Sequence, residues 1–136
     1  MKTALKIFSV IMIICTLFAC KKGNDDNEDN ISGRWEFRGT VGGFIPIINQ
    51  KNKPGNGNIL KFEGNNYEFI TDGKVTKSGT YTIMKESKAI NNTSANAYLI
   101  FDGNKEKTYI NLSRKKLILF FGIIAADGVE TTYERL

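Results

Sequence analysis

The run Ile59-Leu60-Lys61-Phe62-Glu63-Gly64-Asn65-Asn66-Tyr67-Glu68-Phe69-Ile70-Thr71-Asp72-Gly73 decides how the chain is read. Leu60 and Phe62 alternate with Lys61 and Glu63, a period of two that places apolar groups on one face of a strand. Gly64-Asn65-Asn66 then links residues 59–63 to a second run, 67–71, as a hairpin. Asp72-Gly73 ends that run as a tight-turn pair, because Asp tolerates and Gly readily adopts positive φ. The grammar is that of short antiparallel strands.

The same grammar extends outward. Upstream, residues 33–41 read as a strand ending at Gly42-Gly43, followed by the apolar but irregular Phe44-Ile45-Pro46-Ile47-Ile48 and a loop over 49–58. Downstream, 74–84 reads as a longer strand with Gly79 near its middle as a point of bend or bulge. Residues 85–94 are expected as a polar loop. Strands follow at 97–101, 107–112, 117–121 and 129–135. They are punctuated by Asp102-Gly103, by Arg114-Lys115-Lys116 and by the connection 122–128. No stretch carries helical periodicity, and Gly is common (13) against 2 Pro. About eight strands in hairpin order must cover one apolar face, either by closing into a barrel or by stacking as a sandwich. The expected fold is all-β, a small antiparallel up-and-down barrel. Closure removes exposed edges.

The first thirty residues belong to a different grammar. Met1 to Lys6 is a short basic start, residues 7–18 are mostly apolar, and Ala19 is a small residue before Cys20. That is the layout of a secretory signal. Twelve residues of helix extend only about 18 Å, short of the ~30 Å hydrocarbon core of a bilayer. Residues 20–30 carry Lys21 and Lys22 against Asp25, Asp26, Glu28 and Asp29 and no apolar side chain after Cys20, so they read as a disordered tether. The domain expected to fold is 31–136.

Composition narrows the chemistry. The formal charge is +5, and from Ile31 onward there are 15 basic and 10 acidic residues. These charges are scattered singly along alternating strands, which fits a solubilising surface and no nucleic-acid partner. The chain has no His and two Cys, Cys15 within the apolar leader and Cys20 at its end. The commonest general base and metal ligand is therefore missing, and no disulfide is expected. Asp72, Asp102 and Asp127 each precede Gly and read as turn formers. Neither a phosphate-cradling loop nor a zinc spacing is present, so no enzyme, no cofactor and no metal site is expected.

Leu17-Phe18-Ala19-Cys20 resembles the lipobox of bacterial lipoproteins, with Phe18 bulkier than usual. The resemblance implies acylation of Cys20 by chains such as palmitate, removal of 1–19, and a bilayer as partner. Two or three chains make such anchoring effectively permanent. The alternative is an ordinary secretory signal with an incidental cysteine. The acidic tether resembles, loosely, the surface-export signals of Bacteroidetes lipoproteins. The expected location is the cell envelope at the outer membrane, on either its periplasmic or its surface face.

Gly33 with Trp35, Gly42-Gly43 with Pro46, and Gly79-Thr80-Tyr81-Thr82-Ile83 occur in the order seen in lipocalin-like lipoproteins of Bacteroidetes, which residues 31–136 resemble as a whole. In such calycin-type barrels a first-strand Trp closes one end against an Arg near the last strand. By that resemblance Trp35 and Arg135 are expected to stack, a structural pairing. Phe62, Phe69, Tyr81, Tyr98 and Phe101 are candidates to line a cavity for a small apolar ligand, or else simply to fill the core. Ile45, Ile47 and Ile48, or Ile123 and Ile124, are candidate exposed patches. Two functions stay open: a barrel binding a small apolar molecule, and a non-catalytic interaction or inhibitor module of the envelope.

Overall fold

The computed structural model describes residues 30–43 and 52–136. The expected signal peptide, Cys20 and all of the tether but Asn30 lie outside the described residues, as do Phe44, Ile45, Pro46, Ile47 and Ile48. Eight strands follow in chain order: β1 (Gly33–Gly42), β2 (Asn58–Glu63), β3 (Asn66–Thr71), β4 (Lys74–Ile90), β5 (Thr93–Phe101), β6 (Thr108–Leu112), β7 (Lys116–Phe121) and β8 (Val129–Arg135). A short 3-10 turn, Ile124–Ala126, lies between β7 and β8. Every neighbouring pair is antiparallel, and β8 pairs back onto β1, so the sheet is a closed up-and-down barrel.

Alternation decides what faces inward. Trp35 lies opposite Leu60, and Leu60 opposite Phe69. Leu117 pairs with Tyr133 and Leu119 with Thr131. Trp35, Leu60, Leu117, Leu119 and Tyr133, with Phe62, Tyr67, Tyr81, Leu99, Ile110 and Leu112, form one continuous core against which Phe69 packs, and Trp35, Leu60, Leu99, Ile110 and Leu117 are fully buried. Each such aliphatic side chain contributes about 1.5–3 kcal/mol of burial, which is what holds a ring of short strands closed.

The reading of 85–94 as a loop is corrected. β4 runs on to Ile90 and β5 begins at Thr93, with Asn91-Asn92 as the turn and Asn91 at φ 52°. Polar composition misled because this hairpin leaves the barrel wall after a bulge between Lys85 and Lys88, where most of its side chains meet water. It then crosses the outside of β6, β7 and β8. The Asn111 side chain donates to the Ser94 carbonyl, and Asn91 bonds to Glu130 and to the Ile124 amide. Ile90 and Ala95 pack with Phe120 beneath this arm in a small second cluster.

The expected irregularity at Gly79 is also relocated. The register shift falls between Phe69 and Ile70 against Lys77 and Val75, while Gly79 sits in regular pairing with Tyr67. Glycine is needed there for proximity: a Cβ at Gly79 would lie 1.8 Å from Asp102 Oδ1 and 2.8 Å from the Tyr67 ring.

Candidate functional site

The two ends of the barrel are built differently. At one, the indole of Trp35 is fully buried and its Nε1 donates to the Ile31 carbonyl at 2.7 Å. Arg135, its partner in the β1–β8 register, places its guanidinium carbon 4.1 Å from the Trp35 ring centroid. The same guanidinium donates to the carbonyls of Ser32 at 2.7 Å, Arg114 at 2.8 Å and Asn30. A planar group with five donors can stack and cross-link at once, whereas a lysine could not. This end is plugged.

Among the described residues the other end is open. A cavity of about 400 Å³ is lined by Phe37, Phe69, Tyr133, Ile59, Ile70, Asn58, Thr71, Thr76 and Lys77. Its aromatic wall is interlocked: Phe37 meets Tyr133 edge-on at 5.8 Å, and Phe69 meets Tyr67 edge-on at 5.8 Å. Burial pushes the Tyr133 phenol up to about 12, so it stays neutral in the pocket across ordinary pH. A second depression of about 400 Å³, lined by Ile83, Lys85, Asn96, Ala97 and Leu112, marks where the β4–β5 arm departs from β6.

Outside the barrel, beside the open end, a buried carboxylate fastens the loop that leads into β2. Glu36 is 2% exposed and accepts from Arg38 Nη1 at 2.7 Å and from the Gly55 amide at 2.8 Å. Arg38 also bonds to Glu134 at 2.9 Å, and the Asn56 side chain donates to the Phe37 carbonyl. Burial alone would raise the Glu36 carboxyl. The Arg38 guanidinium and the Gly55 and Asn56 amides outweigh it and hold the group below its ordinary value. The arrangement positions a loop; it has no nucleophile and no second free acid.

Of the five aromatic candidates, only Phe69 lines the open cavity. Phe62 and Tyr81 pack against each other at 4.8 Å in the core, and Phe101 packs on Tyr67 at 4.8 Å. Tyr98 stands on the outer wall. Its ring lies 6.0 Å from Tyr109 and 4.2 Å from the Lys107 ammonium, and its hydroxyl contacts the Met84 sulfur. It neighbours Leu99, which points inward, so period two sends Tyr98 out. Phe37 and Tyr133 were missed, although each lies two positions from Trp35 or Arg135 and therefore shares that inner face. Ile123 and Ile124 are exposed in the β7–β8 connection. Among the described residues no three His, Cys, Asp or Glu side chains gather as a metal site.

No protein-family model, no curated protein and no solved structure matches the chain. The geometry of the barrel therefore carries the functional reading.

Proposed function

We propose that this protein is a lipid-anchored envelope protein with a lipocalin-like barrel that holds a small apolar molecule in its open end. The observation that carries the reading is the asymmetry of the barrel. One end is plugged by Trp35 and Arg135, and the other keeps a cavity of about 400 Å³ walled by Phe37, Phe69 and Tyr133. Small-molecule sites are concave, mainly apolar and supplied with a few polar groups, with volumes of roughly 300–1,000 Å³. The anchor rests on Leu17-Phe18-Ala19-Cys20, and the role proposed is non-catalytic.

Native mass spectrometry of the protein purified from its own envelope tests the cavity. A co-purifying lipid-sized mass supports the proposal, and an empty protein that takes up no apolar ligand contradicts it. Metabolic labelling with palmitate tests the anchor. The label is expected on the wild type and absent from Cys20→Ser. Protease shaving of intact cells then assigns the face of the outer membrane.

A second reading, an interaction module, is favoured by exposed apolar side chains on and around the β7–β8 connection. Phe121, Ile123 and Val41 stand 46%, 59% and 44% exposed, and Ile124 lies beside Gly42. Cross-linking in native envelopes that captures one protein through this connection, with the barrel empty, selects that reading instead.

A further inference from the structure

The open cavity has one feature that a purely apolar occupant does not use. Among the described residues Lys77 is the single charged one in its lining, and it comes from the strand position opposite Phe69, on the inner face. Lys77 is exposed at the rim, its ammonium 5.9 Å from the centroid of the Tyr67 ring. Among the described residues it forms no ion pair, whereas Lys61 and Lys107 pair with Glu63 and Glu86 on the outer wall. Asp72, in the turn before β4, lies against Gly57 and makes no ion pair with Lys77 among the described residues.

The other polar groups of the lining divide in two. Thr76 donates to the Phe69 carbonyl and the Asn58 side chain donates to the Asn56 carbonyl, so both are engaged. The Tyr133 hydroxyl has no hydrogen-bond partner among the described residues, its environment being one of burial alone. Among the described residues the aromatic pocket thus presents one cation and the hydroxyls of Tyr133 and Thr71 to whatever fills it. A cation without a counter-charge at the rim of an apolar cavity attracts an anion, and burial of the rest of the ligand strengthens that attraction by excluding water.

We infer that the occupant is a single-chain anionic amphiphile, its acyl chain among Phe37, Phe69 and Tyr133 and its anionic head at Lys77. This rests on the proposed ligand-binding function and narrows it. The volume, near the low end for ligand sites, suits one chain rather than the two of a phospholipid. Carboxylate and phosphate heads share the required chemistry.

The test compares dodecanoate, dodecyl phosphate and dodecanol, each below its micellar concentration, by calorimetric titration of the purified protein and its variants. One or both anions are expected to bind about tenfold tighter than dodecanol, the worth of one charge-assisted bond. Which anion does so identifies the head group. Lys77→Met, which keeps the apolar stem, is expected to erase the preference while dodecanol binding stays. Lys115→Met, which removes the same charge at the plugged end, is expected to leave the preference intact. Rising salt is expected to shrink it. Equal binding of all three ligands, or a preference that survives Lys77→Met, overturns the inference and leaves the apolar cavity standing. Failure of all three to bind removes both.

Discussion

Arg135 and Trp35 face each other across the β1–β8 seam, with the guanidinium carbon 4.1 Å from the indole centroid. The last strand is thereby tied to the first at the point where an up-and-down sheet must close. The stack contributes cation–π energy of about 0.5–2 kcal/mol, and the bonds to Ser32 and Arg114 bind the chain entry and the β6–β7 turn to it.

Trp35→Ala is therefore expected to destabilise the fold by about 3–5 kcal/mol, as a lost buried aromatic. Arg135→Lys should cost less but measurably, about 1–3 kcal/mol, because one ammonium cannot replace the fork. Urea unfolding followed by circular dichroism gives both values. A Trp35→Ala protein with the wild-type midpoint would remove the plug from this account.

Gly79 is expected to tolerate no side chain. A methyl group there meets the Asp102 carboxylate, which accepts from the Thr80 amide at 3.0 Å and the Tyr67 hydroxyl at 2.8 Å. Gly79→Ala must break or displace these bonds, at about 1–3 kcal/mol. By contrast, Gly79 has an unexceptional backbone, so relief of strain cannot offset the clash. A thermal melt unchanged from wild type counts against the contact.

Glu36 supplies a pH dependence with a definite sign. Its folded-state pKa is held below the unfolded value, so its contribution is complete above the ordinary carboxylate range. That contribution is lost as pH falls through the lower, folded value. The wild type is expected to lose stability below about pH 4, and Glu36→Gln to show a flatter acid limb from a lower plateau. Identical acid limbs would mean that the loop does not depend on this carboxylate.

Tyr67 and Tyr133 give the opposite limb. Both are pushed up to about 12, Tyr67 by burial and by its bond to Asp102, Tyr133 by burial. A raised pKa means stability fully present below the unfolded value, near 10, and lost as pH climbs through about 12. Spectrophotometric titration should show Tyr67 and Tyr133 ionising late, together with unfolding. Ionisation of both near pH 10 would contradict their burial.

Much of this architecture was legible because period-two alternation and Asp-Gly turns act locally. Leu60 and Phe62, and Leu117 and Leu119, announce their faces within a few residues. The β4–β5 arm was not legible. Lys85 to Ser94 carries the polarity of a loop, and its strand character comes from pairing across Asn91-Asn92 and from Phe120 on the outer wall. Glu36 was equally hidden, since its burial depends on a loop folding over β1 from twenty residues away. The cavity was half legible. Phe69 was found by aromatic content, but Phe37, Tyr133 and Lys77 required knowing which end of the barrel stays open.

The central claim is that the end lined by Phe37, Phe69 and Tyr133 receives an apolar ligand while the Trp35 end stays shut. A titration with dodecanol followed by amide chemical shifts in nuclear magnetic resonance addresses it directly. Shifts concentrated at Phe37, Ile59, Phe69, Ile70 and Tyr133, with the Trp35 and Leu117 amides still, are the predicted result. Shifts confined to the outer wall around Tyr98, or no shifts at all, would contradict it.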